Sequence, residues 1–400
     1  MVRGSFYFRL SNFYFWYFAF IGAFAPYFAL YLKSLGFSAS QIGVLLAVNP
    51  VARIFGPNFW GWLSDHSGAR GQLIRLTAVG TAVTFVAVFF NRGIGWMFAA
   101  LLVLNIFWCA VLPLAESATL NLLGSGVGTY GRIRLWGSVG FVAVVVAGGY
   151  LLDQFGIDAL APMVLTLLVL MAASTFPLPR DREPTHHGEH APILRIVAKP
   201  AVIALFAGFF LMQVGHGPYN GFYSIHLVEA GYSKKAVGWL WALGVLAEIA
   251  LFLWLPRLMR AYSLNQILRL SFGCAFLRFL LIAWGIGSIP IMVLAQLMHA
   301  ITFGAYHAAG VAAMHQIFRG RNQARGQALY TSLGYGLGGT LGTLGAGYAW
   351  ESWGPQWTFT FAAVAALLAL LVVWWKPMSF GEKNRKTSRA GLPSDQRDMS

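Results

Sequence analysis

Two oppositely charged residues, Glu116 and Arg134, interrupt long apolar stretches of the sequence. A charge at the centre of a membrane helix costs ~2.5–3.5 kcal/mol, so such residues usually face a protein interior or a water-filled cavity. Each lies nine positions from Ser125, and the glycines around Ser125 predict a turn there. Two antiparallel helices joined by that turn would hold both side chains at the same depth in the membrane. Because desolvating two ions makes an internal pair a poor stabiliser, we favour ligand contact or gating over a purely structural bridge.

Arginine presents two donors in a planar fork to a carboxylate, which lysine does not. Arg134, Arg278 and Arg53 all lie in apolar runs and are therefore candidates to bind an anionic substrate. Tyr219 is a candidate for the apolar wall of the same site. Other aromatic residues in runs expected to face the interior fit either a ligand wall or ordinary packing, namely Tyr27, Tyr31, Tyr223 and Trp241.

A second group of polar residues suits proton transfer. Glu248 lies in an apolar run, and a carboxylate that alternates between buried and hydrated surroundings can take up and release a proton. His299 is a candidate because histidine titrates near neutral pH, and His216 and His307 are weaker ones. A single histidine on an apolar helix also fits a hydrogen-bonded packing residue, and that alternative stays open.

The elements that must position these residues are membrane helices. With 58% hydrophobic and 10% charged residues and a mean hydropathy of +0.64, the 400-residue chain lies outside the range of water-soluble proteins. Ala23-Phe24-Ala25 resembles a signal-peptidase site, but the apolar run continues beyond it, so we expect a retained helix. Apolar runs long enough to cross a bilayer recur at about 12–32, 41–62, 73–90, 96–121, 133–152, 159–178, 201–226, 235–256, 265–286, 289–317, 327–348 and 356–375.

The formal charge of +15 follows the topology of these helices. With both termini inside, 21 of the 28 Lys and Arg residues lie in inner loops and tails, four lie outside and three lie within helices. That asymmetry is the positive-inside rule, which explains the basic chain without a nucleic-acid partner. We expect a multi-pass protein of a bacterial-type inner membrane, both termini cytoplasmic, acting as a monomer.

Metal and cofactor sites are not indicated. Cys109 and Cys274 each lie within an apolar run and are expected to be inert core thiols. His186, His187 and His190 fit a solvated linker better than a metal site. The glycines of 334–348 form a small-residue strip without GxxxxGK[ST], so ATP-driven transport is unsupported.

The twelve runs divide six and six around a polar, proline-bearing segment. GFSASQIGVLLAVNPVARI (36–54) aligns without gaps onto GYSKKAVGWLWALGVLAEI (231–249), with seven of nineteen positions identical. A repeat of this kind predicts two bundles related by an axis along the membrane normal, with a substrate site between them. The expected domains are an N-terminal six-helix bundle (1–178), a cytoplasmic linker (179–200), a C-terminal six-helix bundle (201–376) and a disordered cytoplasmic tail (377–400). Arg53 and Glu248 occupy equivalent positions in this alignment.

The loop after the second run, Gly61-Trp-Leu-Ser-Asp65-His-Ser-Gly68-Ala-Arg70, resembles the signature of the major facilitator superfamily. The resemblance implies that Asp65 and Arg70 latch the two halves on the inner side. A tight solvated loop would explain its glycines but not an acidic residue among basic ones.

The charged residues carry a closer resemblance. Glu116 and Arg134 resemble the paired sugar-binding residues of the lactose permease group, and Glu248, Arg278 and His299 match its coupling residues. Fragments 215–248, 299–314 and 130–141 are similar to the phenylpropionate permease subfamily, whose members take up aromatic carboxylic acids with protons.

The chain departs from the lactose permease pattern at two places. Thr302 stands where that group has its second coupling acid, and 330–348 contains no lysine, so coupling is expected to be simpler or absent. The resemblance favours a proton-coupled importer of an aromatic acid. The alternatives are symport of an oligosaccharide or nucleoside, or efflux of a small organic molecule. An intramembrane enzyme or sensor is disfavoured because no catalytic nucleophile pair or HExxH motif occurs.

Overall fold

The computed structural model describes residues 4–123, 129–178 and 193–378. Within these ranges the backbone is almost entirely helical and forms no strand. The first six membrane helices are α1 (Gly4–Ser34), α2 (Ala39–Ser67), α3 (Arg70–Phe85, extended by a 3-10 turn at Val86–Phe89), α4 (Ile94–Leu123), α5 (Tyr130–Phe155) and α6 (Leu160–Thr175).

The second set follows a single helical turn at Leu194–Val197. Its members are α7 (Pro200–Glu229), α8 (Lys234–Ala261), α9 (Leu264–Trp284), α10 (Ile289–Ile317), α11 (from Gln323 to a kink at Gly354) and α12 (355–375). Two of these helices contain wider π turns, at Ala300–Ala305 in α10 and Tyr330–Gly338 in α11.

The kink at Gly354 decides the number of membrane helices. The apolar helical run Gln323–Trp375 is 53 residues long, but Gly354 has φ 81° and ψ 176°, which no α-helix accommodates. The run is therefore two helices joined by a sharp turn, and the described part of the chain contains the twelve membrane helices that the sequence predicts.

The internal repeat is visible in the backbone. Gly36 and Gly231, equivalent in the sequence alignment, have φ angles of +90° and +92°, a region open to glycine and costly for other residues. Ser38 and Ser233 follow them, and each side chain accepts a hydrogen bond from a backbone amide in the first turn of the next helix. The same three-residue pattern, glycine, an aromatic residue and serine, thus precedes α2 and α8.

Within each half, the helices pack in corresponding pairs. In the first half α1 packs against α5 and α6, α4 against α2 and α3, and α3 against α6. In the second half α7 packs against α11 and α12, α10 against α8 and α9, and α9 against α12. The halves meet along α2 with α11 and along α5 with α8. The observed architecture is two six-helix bundles, as predicted.

The outward surface of the bundle is apolar, with many large hydrophobic side chains exposed. Tryptophans lie near helix ends, where aromatic rings favour the membrane interface, including Trp284, Trp353, Trp357, Trp374 and Trp375. A surface of this kind belongs in a lipid bilayer.

Several predicted features lie wholly or mostly outside the described residues. They are the glycine turn at 124–128, most of the linker 179–200 with its three histidines, and most of the tail 377–400. Among the described residues, no group of three or more His, Cys, Asp or Glu side chains is arranged to hold a metal ion.

Candidate functional site

A cavity of about 310 Å³ lies between the two halves. Its lining comes from α1, α2 and α4 on one side and from α7, α8, α10 and α11 on the other. This is where a site shared by two repeats is expected. The lining includes Phe24, Phe28, Asn49, Arg53, Asn105, Trp108, Gln213, Asn220, Trp241, Phe303, Tyr335 and Thr343.

Aromatic rings form one wall of this cavity. Phe24 and Phe28, one turn apart on α1, stack with ring centroids 4.2 Å apart, and Trp108 of α4 meets Phe24 edge-on at 5.3 Å. Offset and edge-on arrangements of this kind stabilise aromatic clusters beyond their buried area. The wall offers a further aromatic ring a similar stacking surface.

The polar part of the lining is mostly uncharged. Asn49 of α2 donates a hydrogen bond to the side-chain carbonyl of Asn105 on α4 at 2.6 Å. Gln213 and Asn220 of α7 contribute amides from the other half. Among the described lining residues Arg53 is the one with a formal charge, and its side chain is exposed in the structure.

Glu116 and Arg134 form the pair that their spacing predicts. Arg134 Nε lies 4.0 Å from Glu116 Oε1, both side chains are about one-third exposed (34%), and Tyr130 donates a hydrogen bond to the same carboxylate oxygen at 3.1 Å. The Arg134 guanidinium also lies over the ring of Phe18, 3.8 Å from its centroid. The pair belongs to the first half and is partly exposed.

Arg278, in contrast, does not line the cavity. It is fully buried within the second half, where its Nε donates to the Ala295 carbonyl at 2.8 Å and its Nη1 donates to Thr302 Oγ1 at 3.1 Å. Its guanidinium lies 4.1 Å from the centroid of Tyr219. Thr302 thus occupies the place of an expected acid and serves as a neutral acceptor for the arginine.

Tyr219 is buried beside this arginine. Its hydroxyl donates to Gln296 Oε1 at 3.1 Å, and its ring lies 5.0 Å from Trp241 and 5.5 Å from His299. Trp241 lines the cavity, so Tyr219 and Arg278 form a second layer behind it.

Among the described residues, no hydrogen bond or ion pair joins the three residues predicted to carry protons, although His216 and His299 interact electrostatically. His216 is buried, with Nδ1 2.8 Å from the Met212 carbonyl, whereas His299 stacks on Phe303 at 5.2 Å. Glu248 is half-buried against α10, where a Cβ on Gly304 would lie 3.0 Å from its Cγ. Among the described residues no ion pair within 4 Å involves Glu248, but it interacts electrostatically with Arg134 across the halves.

One end of the bundle is closed by contacts between the halves. It is formed by the α1–α2, α5–α6, α7–α8 and α11–α12 connections and is named the predicted outer end. Here the Asp153 carboxylate accepts hydrogen bonds from the backbone amides of Lys234 and Lys235 at 2.9 and 3.0 Å. Glu351 accepts from the Ser40 amide at 2.9 Å and from the Ser38 hydroxyl at 3.0 Å.

Further contacts strengthen the same end. Lys33 of α1 pairs with Glu229 of α7, and the Tyr27 hydroxyl donates to the Val145 carbonyl of α5 at 2.6 Å. A Cβ on Gly238 would come within 2.5 Å of that carbonyl oxygen, so α5 and α8 touch through their backbones.

The predicted latch residues lie together in the first half. Arg70 Nη2 lies 3.7 Å from Asp65 Oδ1, and Arg70 Nε donates to Ser64 Oγ at 3.3 Å. The Asp65 side chain is largely exposed (61%), whereas Arg70 is buried. Their role as a latch between the halves remains a prediction.

The structure thus brings Arg53 to the cavity, pairs Glu116 with Arg134, and places Arg278, Tyr219, His216 and His299 inside the second half. Sequence reasoning missed Phe24, Phe28, Trp108 and Tyr335 of the lining. The spacing of four between Phe24 and Phe28 was a usable signal, as were Asn49 and Asn105, polar residues in otherwise apolar runs.

Two repeated six-helix bundles around a central cavity define a membrane transporter. The chain belongs to the MFS_1 like family, whose model matches residues 7–361. It is a major facilitator transporter, not an enzyme.

Relatives and solved structures agree with this assignment. The chain is 29% identical over 372 residues to a probable 3-phenylpropionic acid transporter of Escherichia coli (strain K12), covering 88% of this chain and 94% of the relative. It is 25% identical to a maltose permease of Geobacillus stearothermophilus, covering 90% and 92% of the two chains. A crystal structure of the nucleoside transporter NupG superposes with a TM-score of 0.79 at 17% identity, covering 93% of this chain and 99% of that one.

Proposed function

We propose that the protein takes up an aromatic carboxylate, such as 3-phenylpropionate, together with protons by alternating access. One observation carries the proposal: Arg53 supplies the formal charge in a cavity whose described lining is otherwise apolar, aromatic or uncharged. A monoanion with one aromatic ring matches that distribution, since the guanidinium suits the carboxylate and the Phe24–Trp108 wall suits the ring.

The size of the cavity supports a small substrate. At about 310 Å³ it lies near the lower limit of ligand pockets, which span roughly 300–1,000 Å³. One ring with a short acid side chain needs much less room than a disaccharide. The Escherichia coli relative, named a probable 3-phenylpropionic acid transporter, supports the same substrate class.

Proton coupling is assigned to Glu248, with His299 and His216 as secondary candidates. Glu248 occupies the position in α8 that Arg53 occupies in α2, and it is half-buried beside Gly304, next to the cavity residue Phe303. A carboxylate at such a place becomes more or less hydrated as the halves rock, and its affinity for a proton changes accordingly.

The direction of access follows from the closed end. The predicted outer end is held shut by Asp153, Glu351 and the Lys33–Glu229 pair, so the cavity would load or release substrate on the opposite side. The positive-inside distribution supports assigning that side to the cytoplasm of a bacterial-type inner membrane, with both termini cytoplasmic.

A second candidate substrate class is a sugar or nucleoside. The Glu116–Arg134 pair and the amides of Asn49, Asn105 and Gln213 offer donors and acceptors to hydroxyl groups. The similar proteins include a maltose permease and a nucleoside transporter, so sugars and nucleosides are the substrates to test against the aromatic acid.

Uptake into proteoliposomes tests the proposal. Labelled 3-phenylpropionate should accumulate when a proton gradient is imposed and should only equilibrate when an uncoupler is present, whereas labelled lactose should not accumulate. Accumulation of the sugar alone would reject the aromatic-acid assignment. Equal accumulation of the acid with and without the gradient would reject proton symport.

A further inference from the structure

Arg53 of α2 and Tyr335 of α11 line the cavity from opposite halves. Their helices touch at the next residues along the chain: a Cβ on Gly336 would lie 2.5 Å from Ile54 Cγ1, and Ser332 Oγ donates to the Ile54 carbonyl at 3.5 Å. Both Arg53 and Tyr335 line the cavity, and Tyr335 interacts electrostatically with Glu248 and, more weakly, with Arg53. A cation from α2 and a hydroxyl from α11 therefore lie near one point on the boundary between the halves.

Tyr335 has a partner that fixes its hydroxyl group. His307 Nδ1 lies 2.9 Å from the Tyr335 oxygen. If Nδ1 carries the proton, the phenol accepts that hydrogen bond and keeps its own O–H free to donate elsewhere. If the phenol donates to Nδ1, it has no proton left for a ligand.

The surroundings of His307 hold its ring in place. Phe303 lies one turn before it on α10, nearly parallel at 13° with centroids 6.5 Å apart, and the ring of Tyr330 lies 6.2 Å away on α11. From the first half, Arg134 interacts with His307 electrostatically. These contacts restrict the imidazole while its Nδ1 faces Tyr335.

We propose that Arg53 and Tyr335 together bind the substrate carboxylate, and that His307 is a positioning residue that donates from Nδ1 and so leaves the Tyr335 O–H free for the ligand. This inference rests on the proposed function and adds the site at which the acid group binds. A guanidinium and one neutral donor match a monoanion; a dianionic ligand would call for a second cation, and the described lining offers Arg53 alone.

The arrangement gives the carboxylate a mechanical role. The bound carboxylate contacts α2 of one half and α11 of the other, next to the Ile54–Gly336 contact. Binding of the acid therefore stabilises the conformation in which the two halves are close at this point. A neutral aromatic molecule would stack on the same aromatic wall but would not bind Arg53 and Tyr335. The site would therefore bind it more weakly than the acid.

Binding in nanodiscs tests the assignment, with 3-phenylpropionate as the probe and calorimetry as the readout. Arg53→Gln and Tyr335→Phe should each weaken binding at least about tenfold, the effect of losing a hydrogen bond to a charged group. The matched control is Tyr306→Phe, because Tyr306 is a buried tyrosine of the same half that lies outside the cavity lining. It should bind within about twofold of the wild type.

A double-mutant cycle tests the positioning role of His307. His307→Leu should weaken binding about as much as Tyr335→Phe, and adding it to Tyr335→Phe should cost nothing further, since it acts through the same hydroxyl. His307→Gln keeps an amide donor for the phenol and should retain most of the wild-type affinity.

The outcomes separate the inference from the function on which it rests. Wild-type protein that binds the acid, with Arg53→Gln and Tyr335→Phe no weaker than the control, would overturn the carboxylate site and leave the proposed function standing. Additive losses for His307→Leu and Tyr335→Phe would overturn the positioning role. No binding of 3-phenylpropionate to wild-type protein would overturn both the function and the inference.

Discussion

Asp153 and Glu351, in opposite halves of the molecule, each accept hydrogen bonds from the start of a helix in the other half. Asp153, near the end of α5, accepts two hydrogen bonds at the start of α8, and Glu351, near the end of α11, accepts two at the start of α2. Each carboxylate lies three residues before a glycine of nearly identical backbone conformation, φ 84° and ψ 169° at Gly156 and φ 81° and ψ 176° at Gly354. The two contacts are therefore equivalent under the repeat.

A carboxylate at a helix N-terminus satisfies free amides and interacts favourably with the helix dipole. Because each acid belongs to one half and each helix start to the other, both contacts must break when the predicted outer end opens. The two acids thus favour the conformation in which this end is closed.

Asp153→Asn and Glu351→Gln should each shift the equilibrium towards opening at the predicted outer end. A charge near a helix N-terminus contributes about two- to fivefold to such an equilibrium, and the double variant should show roughly the product of the single effects. The distance between the halves can be measured by pulsed electron paramagnetic resonance. The spin labels are attached to Arg92→Cys and Gly287→Cys, in the α3–α4 and α9–α10 connections.

That measurement uses a background in which Cys109 and Cys274 are replaced by serine. Asp158→Asn is the control, since this exposed acid lies in the α5–α6 connection at the same end. Unchanged distance distributions in both single variants and the double variant would show that the two acids do not hold the end closed.

Glycine packing at the same end gives a second prediction. A Cβ on Gly347 would lie 2.6 Å from the Ala39 carbonyl oxygen of α2, whereas a Cβ on Gly345, two residues earlier, would meet nothing within 4 Å. Gly347→Ala should therefore oppose closure and reduce uptake by about tenfold, as overpacking of a tight contact does. Gly345→Ala should transport like the wild type; equal loss in both variants would indicate that close approach is not the cause.

Glu248→Gln tests the proton site. The variant should lose accumulation driven by a proton gradient but retain exchange of labelled for unlabelled 3-phenylpropionate, because exchange needs no net proton movement. Parallel assays of driven uptake and counterflow separate the two activities. Driven uptake at the wild-type level would exclude Glu248 as the coupling residue.

Some features of this architecture can be predicted from the sequence because they depend on local backbone geometry. Gly36 and Gly231 mark equivalent turns because both need a positive φ, and the spacing of Glu116 and Arg134 sets their common depth through the rise of a helix. These features depend on local geometry alone.

Other features depend on packing that periodicity does not encode. Arg278 is buried rather than exposed to the cavity because of the rotation of α9 about its own axis, and a helix that is apolar on most sides gives no signal for that rotation. The equivalence of Asp153 and Glu351 is hidden by a change of register. The alignment of 36–54 onto 231–249 has an offset of 231 − 36 = 195, whereas the two acids are separated by 351 − 153 = 198 positions, so one fixed offset does not match them.

The Glu116–Arg134 pair allows its structural and functional roles to be separated. Removing one charge, as in Arg134→Gln, leaves the other partner unpaired and should lower both the melting temperature and transport. The double variant Glu116→Gln with Arg134→Gln removes both charges, so it should recover melting temperature if the pair fixes α4 against α5.

Transport by the double variant then decides between the roles. We expect it to stay at least about tenfold below wild type, because a ligand loses its charged partners even when the helices are well packed. Recovery of both melting temperature and transport would assign the pair a purely structural role. Tyr130→Phe is an intermediate variant, since it removes the hydrogen bond from Tyr130 to Glu116 and keeps the ion pair.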